Sequence, residues 1–113
     1  VSFYKKAKDK NIKPIIGCEV YVAKGSRFQK DRSSGMGQYN HLVLIAQNYQ
    51  VYKNLMKIVT HGYLEGFYYK PRVDTEILQK YNEGIICLSA CLKGILPETL
   101  IYNGLEAGKK VAE

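Results

Sequence analysis

The order of apolar and polar residues predicts a chain that alternates between strands and helices. Uninterrupted apolar runs of strand length alternate with stretches in which apolar residues recur every three or four positions, the period of an amphipathic helix. The predicted strands cover 15–22, 41–46 and 85–90. The predicted helices cover 3–10, a segment from a cap at Asn48 to Tyr63, a segment from a cap at Asp74 to Tyr81, 97–102, and a last segment from Leu105. Because the strands are apolar on both faces and helices recur between them, we expect an α/β fold with a parallel sheet covered by helices.

The predicted helices carry caps and a core-facing stripe. Ser2 is the expected N-cap of the first helix, and Asn11 with Pro14 ends it. In the helix after Asn48, side chains at helical spacing are expected to face the core. They are Tyr52, Leu55, Met56, Val59 and Tyr63.

Two connections differ in character from the rest of the chain. Residues 24–38 hold mainly Lys, Arg, Ser, Gly and Gln, which predicts a long exposed loop. This loop contains Gly35-Met36-Gly37, but the third glycine of a dinucleotide-binding motif is missing, and the chain has no Walker loop for phosphate. Residues 67–73 combine three aromatic side chains with one lysine and one arginine, which predicts an extended connector.

Composition and charge narrow the class of protein. The 113 residues are 46% hydrophobic and 24% charged, values typical of a globular chain. The longest uncharged apolar run has about eight residues, far fewer than the roughly 20 that a membrane-spanning helix needs. The net charge is +7, and residues 1–32 hold nine basic against three acidic side chains. This basic part favours a polyanionic partner such as DNA, but a solvated lysine-rich helix and loop would have the same composition.

Three cysteines show no spacing that is typical of a disulfide framework or a zinc knuckle. We therefore expect a reduced, cytoplasmic chain. Cys18 and Cys87 lie in apolar runs, where a free thiol usually packs as a small hydrophobic group. Cys91 follows the third predicted strand, and residues at the exit ends of parallel strands commonly build active sites.

Glu19 and His41 are polar residues beside or within apolar strands. Burying a carboxylate is costly unless it is paired or bound to a metal, so Glu19 is either a ligand or catalyst, or it reaches a lysine or water. His41 is either a ligand or a satisfied structural histidine, whereas His61 at a helix end fits a favourable charge near the helix dipole. With Cys91, three strands could bring Glu, His and Cys to one metal cluster. Parallel strands leave one difficulty, because Glu19 lies late in its strand and His41 early in its own.

Four runs together resemble a known family. They are 12–22 (IKPIIGCEVYV), 41–46 (HLVLIA), 66–72 (GFYYKPR) and 88–92 (LSACL). Their order and spacing closely resemble the polymerase-and-histidinol-phosphatase (PHP) domain at the N-terminus of bacterial replicative DNA polymerase III alpha subunits. The resemblance implies a distorted (βα)7 barrel with a metal cluster at one mouth, of which this chain would be a part. It also implies that Glu19, His41 and Cys91 are metal ligands.

The resemblance carries expectations about function. In some members of the family the cluster, often zinc, serves 3′–5′ exonuclease proofreading; in others it has decayed, and the domain supports the polymerase or binds a separate proofreading subunit. Zinc or manganese is the metal expected here, and magnesium is expected for the parent polymerase. Lys70 and Arg72, with Tyr68 and Tyr69, would contact phosphates and bases near the mouth, or they form an ordinary surface connector. The expected partners of the parent protein are DNA, the sliding clamp and the proofreading subunit, with no membrane.

The family's remaining ligand motifs do not occur in this chain. An H-x-H-like pair and an Asp-His pair would lie upstream, and a D-x-H motif downstream. We therefore expect residues 1–113 to be an internal segment of a PHP domain that neither cleaves nor polymerises DNA by itself. Two alternatives stay open: a stand-alone PHP phosphoesterase acting on a small phosphate ester, and a non-catalytic module that binds protein or DNA.

Overall fold

The computed structural model describes residues 1–32 and 38–113, which form four helices and four strands. In chain order these are α1 Ser2–Asp9, β1 Ile16–Ala23, β2 Tyr39–Ala46, α2 Tyr49–Leu64, β3 Arg72–Val73, α3 Thr75–Tyr81, β4 Ile85–Leu88 and α4 Ile95–Ala112. The predicted elements are confirmed, with ends that shift by a few residues. The sequence did not predict β3, because two residues are too few to show a period. The predicted motif Gly35-Met36-Gly37 lies outside the described residues.

The strands form one mixed sheet in the order β3-β1-β2-β4. β1 runs parallel to β3, but β2 is antiparallel to both β1 and β4. The expectation of a parallel sheet is therefore wrong for β2. Parallel neighbours need a crossover connection, usually a helix, and the described residues between β1 and β2 form none. The described residues make an α/β open sheet, and the expected partial (βα)7 barrel is not confirmed.

One face of the sheet carries the core. Val22, Leu44 and Val73 are each 2% exposed on this face, and they pack in one cluster with Ile58 of α2 and Ile77 of α3. Burial of a side chain of this size contributes about 1.5–3 kcal/mol. The core therefore fixes the position of α2 and α3 on the sheet.

The other face of the sheet is largely open. Ile86 and Leu88 of β4 are 45% and 47% exposed, and Gly17 and Glu19 of β1 are also exposed. The expectation that the strands are buried on both faces is wrong, because the described helices pack against one face alone. An apolar strand pattern shows that both faces can be covered, and it does not show which element covers them.

The ends of the helices agree with the predicted caps and breaks at some positions and differ at others. Asn48 caps α2 by accepting a hydrogen bond from Val51 N at 3.0 Å, as predicted. Ser2 is not a cap, because it already lies in α1 and Val1 takes the cap position without a side-chain bond. The kink at Gly104, with φ +83°, divides α4 and confirms the two predicted helical segments.

The core-facing stripe of α2 is shifted from the predicted one. Leu55 is buried as expected, but Met56 and Tyr63 are 42% and 58% exposed. The residues of α2 that are buried are Val51, Leu55, Ile58 and Gly62. The position of the sheet decides this rotation of the helix, because both stripes have helical spacing. In the part of the chain that the structure describes, no helix has the length and apolarity needed to cross a membrane.

Candidate functional site

The antiparallel register brings Glu19 and His41 together. His41 lies opposite Tyr21, and Glu19 lies opposite Val43, so Glu19 and His41 are diagonal neighbours on the open face of the sheet. Glu19 Oε1 lies 3.1 Å from His41 Nδ1, and the two side chains are 50% and 20% exposed. A residue late in β1 meets a residue early in β2 because the strands run in opposite directions. This removes the difficulty that a parallel arrangement posed.

Cys91 reaches the same histidine from the turn after β4. Its Sγ lies 3.5 Å from His41 Nδ1 and accepts a hydrogen bond from Lys93 N at 3.4 Å. Ala90 has φ +62°, a left-handed conformation that an alanine adopts at a cost of about 1 kcal/mol. Gly94 closes the turn at a point where a Cβ would overlap the carbonyl oxygen of Ser89. The turn therefore depends on local backbone geometry that a strand pattern does not reveal.

The structure therefore places all three sequence-predicted ligands in one cluster, the Glu19–His41–Cys91 cluster. A neutral imidazole Nδ1 carries either one hydrogen or one lone pair. A protonated Nδ1 can donate to the carboxylate of Glu19, and an unprotonated Nδ1 can accept from the thiol of Cys91, so one of the two contacts is always unsatisfied. As the side chains stand, no group of three or more His, Cys, Asp and Glu side chains in the described residues is arranged so that it could hold a metal ion, and His41 contacts Glu19 and Cys91 directly.

Two tyrosine rings flank the cluster. The rings of Tyr21 and Tyr39 lie 5.3 Å and 6.0 Å from the His41 ring, and 4.9 Å from each other. Both tyrosines are partly buried. Packing against two adjacent aromatic rings restricts rotation of the imidazole. The ring of His41 is therefore held with Nδ1 towards Glu19 and Cys91.

Cys18 lies near the cluster but belongs to the core side of β1. Burial raises the pKa of the Cys18 thiol, and the negative charge of Glu19 raises it further. A raised thiol pKa keeps Cys18 neutral at physiological pH. Cys18 packs against the hydrophobic core, as the apolar run predicted.

Arg72 is a correction to the predicted nucleic-acid contacts. Its side chain is fully buried, at 0% exposure, and it donates to the backbone oxygens of Gly66, Arg27 and Gln29 at 3.0, 3.2 and 2.7 Å. Burial lowers the pKa of Arg72. A guanidinium in this position cannot reach a phosphate in solution. This burial was not predictable from the sequence, because an arginine in a basic connector is ordinarily exposed.

The rest of the connector is more accessible. Lys70 is exposed, Tyr69 is 60% exposed, and Tyr68 is partly buried with its ring 5.5 Å from the Arg72 guanidinium. Tyr69 has φ +60° and packs edge-on against Tyr68. The connector therefore presents one cation and two aromatic rings, those of Phe67 and Tyr69, to solvent, while the buried Arg72 side chain anchors it.

Sequence reasoning missed two groups of polar residues. Arg27 is 5% exposed and binds Asp74, Glu65 and Glu76 through its side chain. Nothing in the loop composition marks Arg27 among its basic neighbours. Asn40 is also buried, at 6% exposure, and a polar residue at a core position of β2 was a signal that could have drawn attention to it.

Comparison with known protein families matches residues 1–113 to the PHP domain. The chain belongs to the PHP domain family. This PHP chain is 49% identical over 109 residues to DNA polymerase III subunit alpha of Borreliella burgdorferi, and 53% over 116 residues to that of Aquifex aeolicus. It is 47% identical over 107 residues to the same subunit of Thermus aquaticus. The family that the four sequence runs predicted is confirmed.

The alignments cover nearly all of this chain but only a small part of each relative. They include 96%, 98% and 94% of the PHP chain, but 10%, 10% and 9% of the Borreliella, Aquifex and Thermus proteins. The PHP chain thus spans about a tenth of the length of the curated relatives that it matches.

Proposed function

We propose that this PHP chain is a segment of a replicative DNA polymerase III alpha subunit and supplies Glu19, His41 and Cys91 as ligands to a divalent metal site of the complete domain. The convergence of Glu19 and Cys91 on one imidazole nitrogen of His41, at 3.1 and 3.5 Å, carries the proposal. The names of the relatives support the polymerase assignment over a stand-alone phosphoesterase. DNA, the sliding clamp and a proofreading subunit are the proposed partners, in the cytoplasm. Magnesium is the proposed cofactor of the parent polymerase reaction.

The separations of Glu19 and Cys91 from His41 are close to those between neighbouring ligands of a zinc ion. Zinc bonds of about 2.0–2.1 Å to nitrogen or oxygen, and about 2.3 Å to sulfur, place neighbouring tetrahedral ligand atoms about 3.3–3.6 Å apart. The separation from His41 Nδ1 to Cys91 is 3.5 Å, within this range, and that to Glu19 is 3.1 Å, slightly below it, so the side chains would move apart slightly around a bound ion. One oxygen, one nitrogen and one sulfur donor favour zinc, and manganese would rely more on Glu19 and His41. Further ligands would come from other parts of the complete domain.

The three side chains would have different roles in the hydrolysis of a phosphodiester. A bound metal would act as a Lewis acid that lowers the pKa of a water molecule and stabilises charge on phosphate oxygens. Glu19, which is half exposed, has a second carboxylate oxygen available for a neighbouring ion or water. His41, packed against Tyr21 and Tyr39, would keep its ligand nitrogen oriented. In the complete domain this chemistry corresponds to 3′–5′ exonuclease proofreading.

The exposed part of the connector would contact the substrate strand. Lys70 offers a cation to a phosphate, and the rings of Tyr69 and Tyr68 offer faces and edges for nucleobases. Arg72 would support this contact from the interior by holding the connector in place.

The ligand assignment is tested in the complete protein. The double substitution Glu19→Ala with Cys91→Ala should remove about one equivalent of zinc or manganese and lower the melting temperature, because a metal that binds the native state stabilises it. Elemental analysis after gel filtration gives the metal content. The matched control is Glu83→Ala with Cys87→Ala, an exposed pair away from the cluster. Unchanged metal content in the first variant would contradict the assignment.

A nuclease assay on the same proteins separates the alternatives. Release of 3′-terminal nucleotides by the wild-type protein, lost in the Glu19 and Cys91 variant, supports proofreading. Bound metal without nuclease activity would indicate the supporting, non-catalytic module. Hydrolysis of small phosphate esters without attack on DNA would favour the phosphoesterase.

A further inference from the structure

Asn40 holds the end of β2 against the turn that carries Cys91. Its amide nitrogen donates to the backbone oxygen of Lys93 at 3.1 Å and to Glu98 Oε2 at 2.5 Å. Both hydrogens of the amide are therefore used, and both partners are acceptors. The side chain is 6% exposed, so these hydrogen bonds lie in an environment where an unpaired polar group is costly.

Glu98 is itself held in the orientation that Asn40 needs. Its other carboxylate oxygen accepts a hydrogen bond from Lys24 Nζ at 3.0 Å. The hydrogen bonds from Asn40 and Lys24 lower the pKa of Glu98, so it stays ionised at physiological pH. Its position in the first turn of α4 also suits a negative charge. Lys24, Glu98 and Asn40 therefore form a chain of polar contacts that ends at the Lys93 carbonyl.

The backbone of Lys93 connects this chain to the sulfur of Cys91. The Lys93 oxygen that binds Asn40 also accepts the backbone N–H of His41 at 2.9 Å. The Lys93 N–H donates to Cys91 Sγ at 3.4 Å, and Gly94 N donates to the Cys91 oxygen at 2.7 Å. One residue is thus bonded to Asn40, to the backbone of His41 and to the sulfur of Cys91.

We propose that Asn40, oriented by Glu98, is a positioning residue that holds the Cys91 sulfur beside His41 and so sets the affinity of the cluster for a divalent cation. The inference rests on the proposed metal-binding function. Side chains that support metal ligands typically change affinity 10- to 100-fold when they are removed. Asn40 does not touch the metal site itself, since its amide reaches the site through Lys93.

Cobalt binding to the complete protein tests the inference. A cysteine bound to Co²⁺ gives a sulfur-to-cobalt charge-transfer band in the near ultraviolet, and this band reports the position of the sulfur independently of activity. Asn40→Ala removes the amide, and the isosteric Asn40→Asp places a carboxylate beside Glu98, where both groups are acceptors. Both substitutions should lower the intensity of the band by at least half and raise the Kd for Co²⁺ about tenfold. Glu98→Gln is a milder variant that keeps the shape of the side chain, and it should raise the Kd about threefold. Because Glu98→Gln is expected to fold, this variant can test the positioning role even if an Asn40 variant is unstable.

The controls separate the positioning role from other outcomes. Asn54→Ala removes a side-chain hydrogen bond to the backbone oxygen of Glu83, on the far side of α2, and should leave the band and the Kd unchanged. Cys91→Ser should abolish the band. A band that is present in the wild type and retained at full strength in the Asn40 and Glu98 variants would overturn the positioning role alone. A wild-type protein without the band, or a Cys91→Ser variant that keeps it, would overturn the ligand assignment of Cys91 and this inference with it.

Discussion

At the scale of single residues, two arginines that the sequence predicts to be surface cations are buried and bind groups inside the fold. Arg72 binds three backbone oxygens, and Arg27 binds three carboxylates while its guanidinium lies 4.3 Å from the Phe28 ring. Burial would lower the pKa of Arg27, but hydrogen bonds to Glu65 and Glu76 raise it. Arg72 of β3 fastens the chain after β1 to Gly66, and Arg27 fastens it to the end of α2 and the start of α3. Together they hold the chain after β1 against the β3 edge of the sheet.

Replacing Arg72 should destabilise the fold strongly. Arg72→Met removes the donor for three buried or partly buried carbonyl oxygens and should lower the free energy of unfolding by about 3 kcal/mol. Urea unfolding followed by circular dichroism measures the change. The control Lys70→Met alters an exposed neighbour and should have an effect within about 0.5 kcal/mol. Equal midpoints for the two variants would show that the buried guanidinium contributes little.

At the scale of elements, two helices of similar design begin in different environments. Asn48 caps α2 with one hydrogen bond, to Val51 N, and is exposed. Asp74 caps α3 through Ile77 N at 3.2 Å, is 4% exposed, and also binds Arg27 through its backbone N–H and its guanidinium. The sequence predicted both caps equally well. Only the structure shows that one of them also closes a buried ion pair.

The two caps should therefore differ in their contribution to stability. Asn48→Ala should lower the free energy of unfolding by about 1 kcal/mol, the usual cost of losing a cap. Asp74→Ala should cost about 2–4 kcal/mol, because it also removes the most buried of the three carboxylates that bind Arg27. Urea unfolding of the two single variants gives the comparison. A cost for Asp74→Ala no larger than that for Asn48→Ala would contradict a stabilising role of the ion pair.

At the scale of the whole molecule, the chain is more extended than a compact domain of its length. Its radius of gyration is 15.3 Å, against about 13 Å expected for a compact chain of this size. The open sheet face and the apolar side chains of α4, such as Ile101 and Tyr102 at 61% and 78% exposure, account for much of the accessible apolar surface. The net charge of +7 attracts anions and so favours an anionic partner.

Lys70 offers a test of the proposed contact with DNA. In the complete protein, Lys70→Gln should reduce the salt dependence of single-stranded oligonucleotide binding, lowering the slope of log K against log salt by about 0.7, the value for one lost phosphate contact. Fluorescence anisotropy at several salt concentrations gives the slope. Lys5→Gln on α1 removes the same charge from a different element and serves as the control. A slope for Lys70→Gln equal to that of the wild-type protein would place Lys70 outside the DNA contact.

The candidate site was predictable in its residues and not in its geometry. Glu19, His41 and Cys91 stood out because each is a polar or reactive group beside an apolar run, and the structure brings the three together. Their meeting depends on the antiparallel pairing of β1 and β2, which contradicts the predicted parallel sheet. Asn40 was missed because its role comes from a contact with a residue 53 positions later in the chain.

The sequence by itself determined the local structure of this PHP chain: the helices and strands, the caps at Asn48 and Asp74, the break near Gly104 and the family. These features depend on hydrophobic period, backbone preference and short-range hydrogen bonds, all of which neighbouring residues encode. Tertiary structure alone decided the direction of β2, the face that each strand buries, and the burial of Arg27 and Arg72. Those features depend on contacts between residues far apart in the chain, and the same local pattern is compatible with more than one such arrangement.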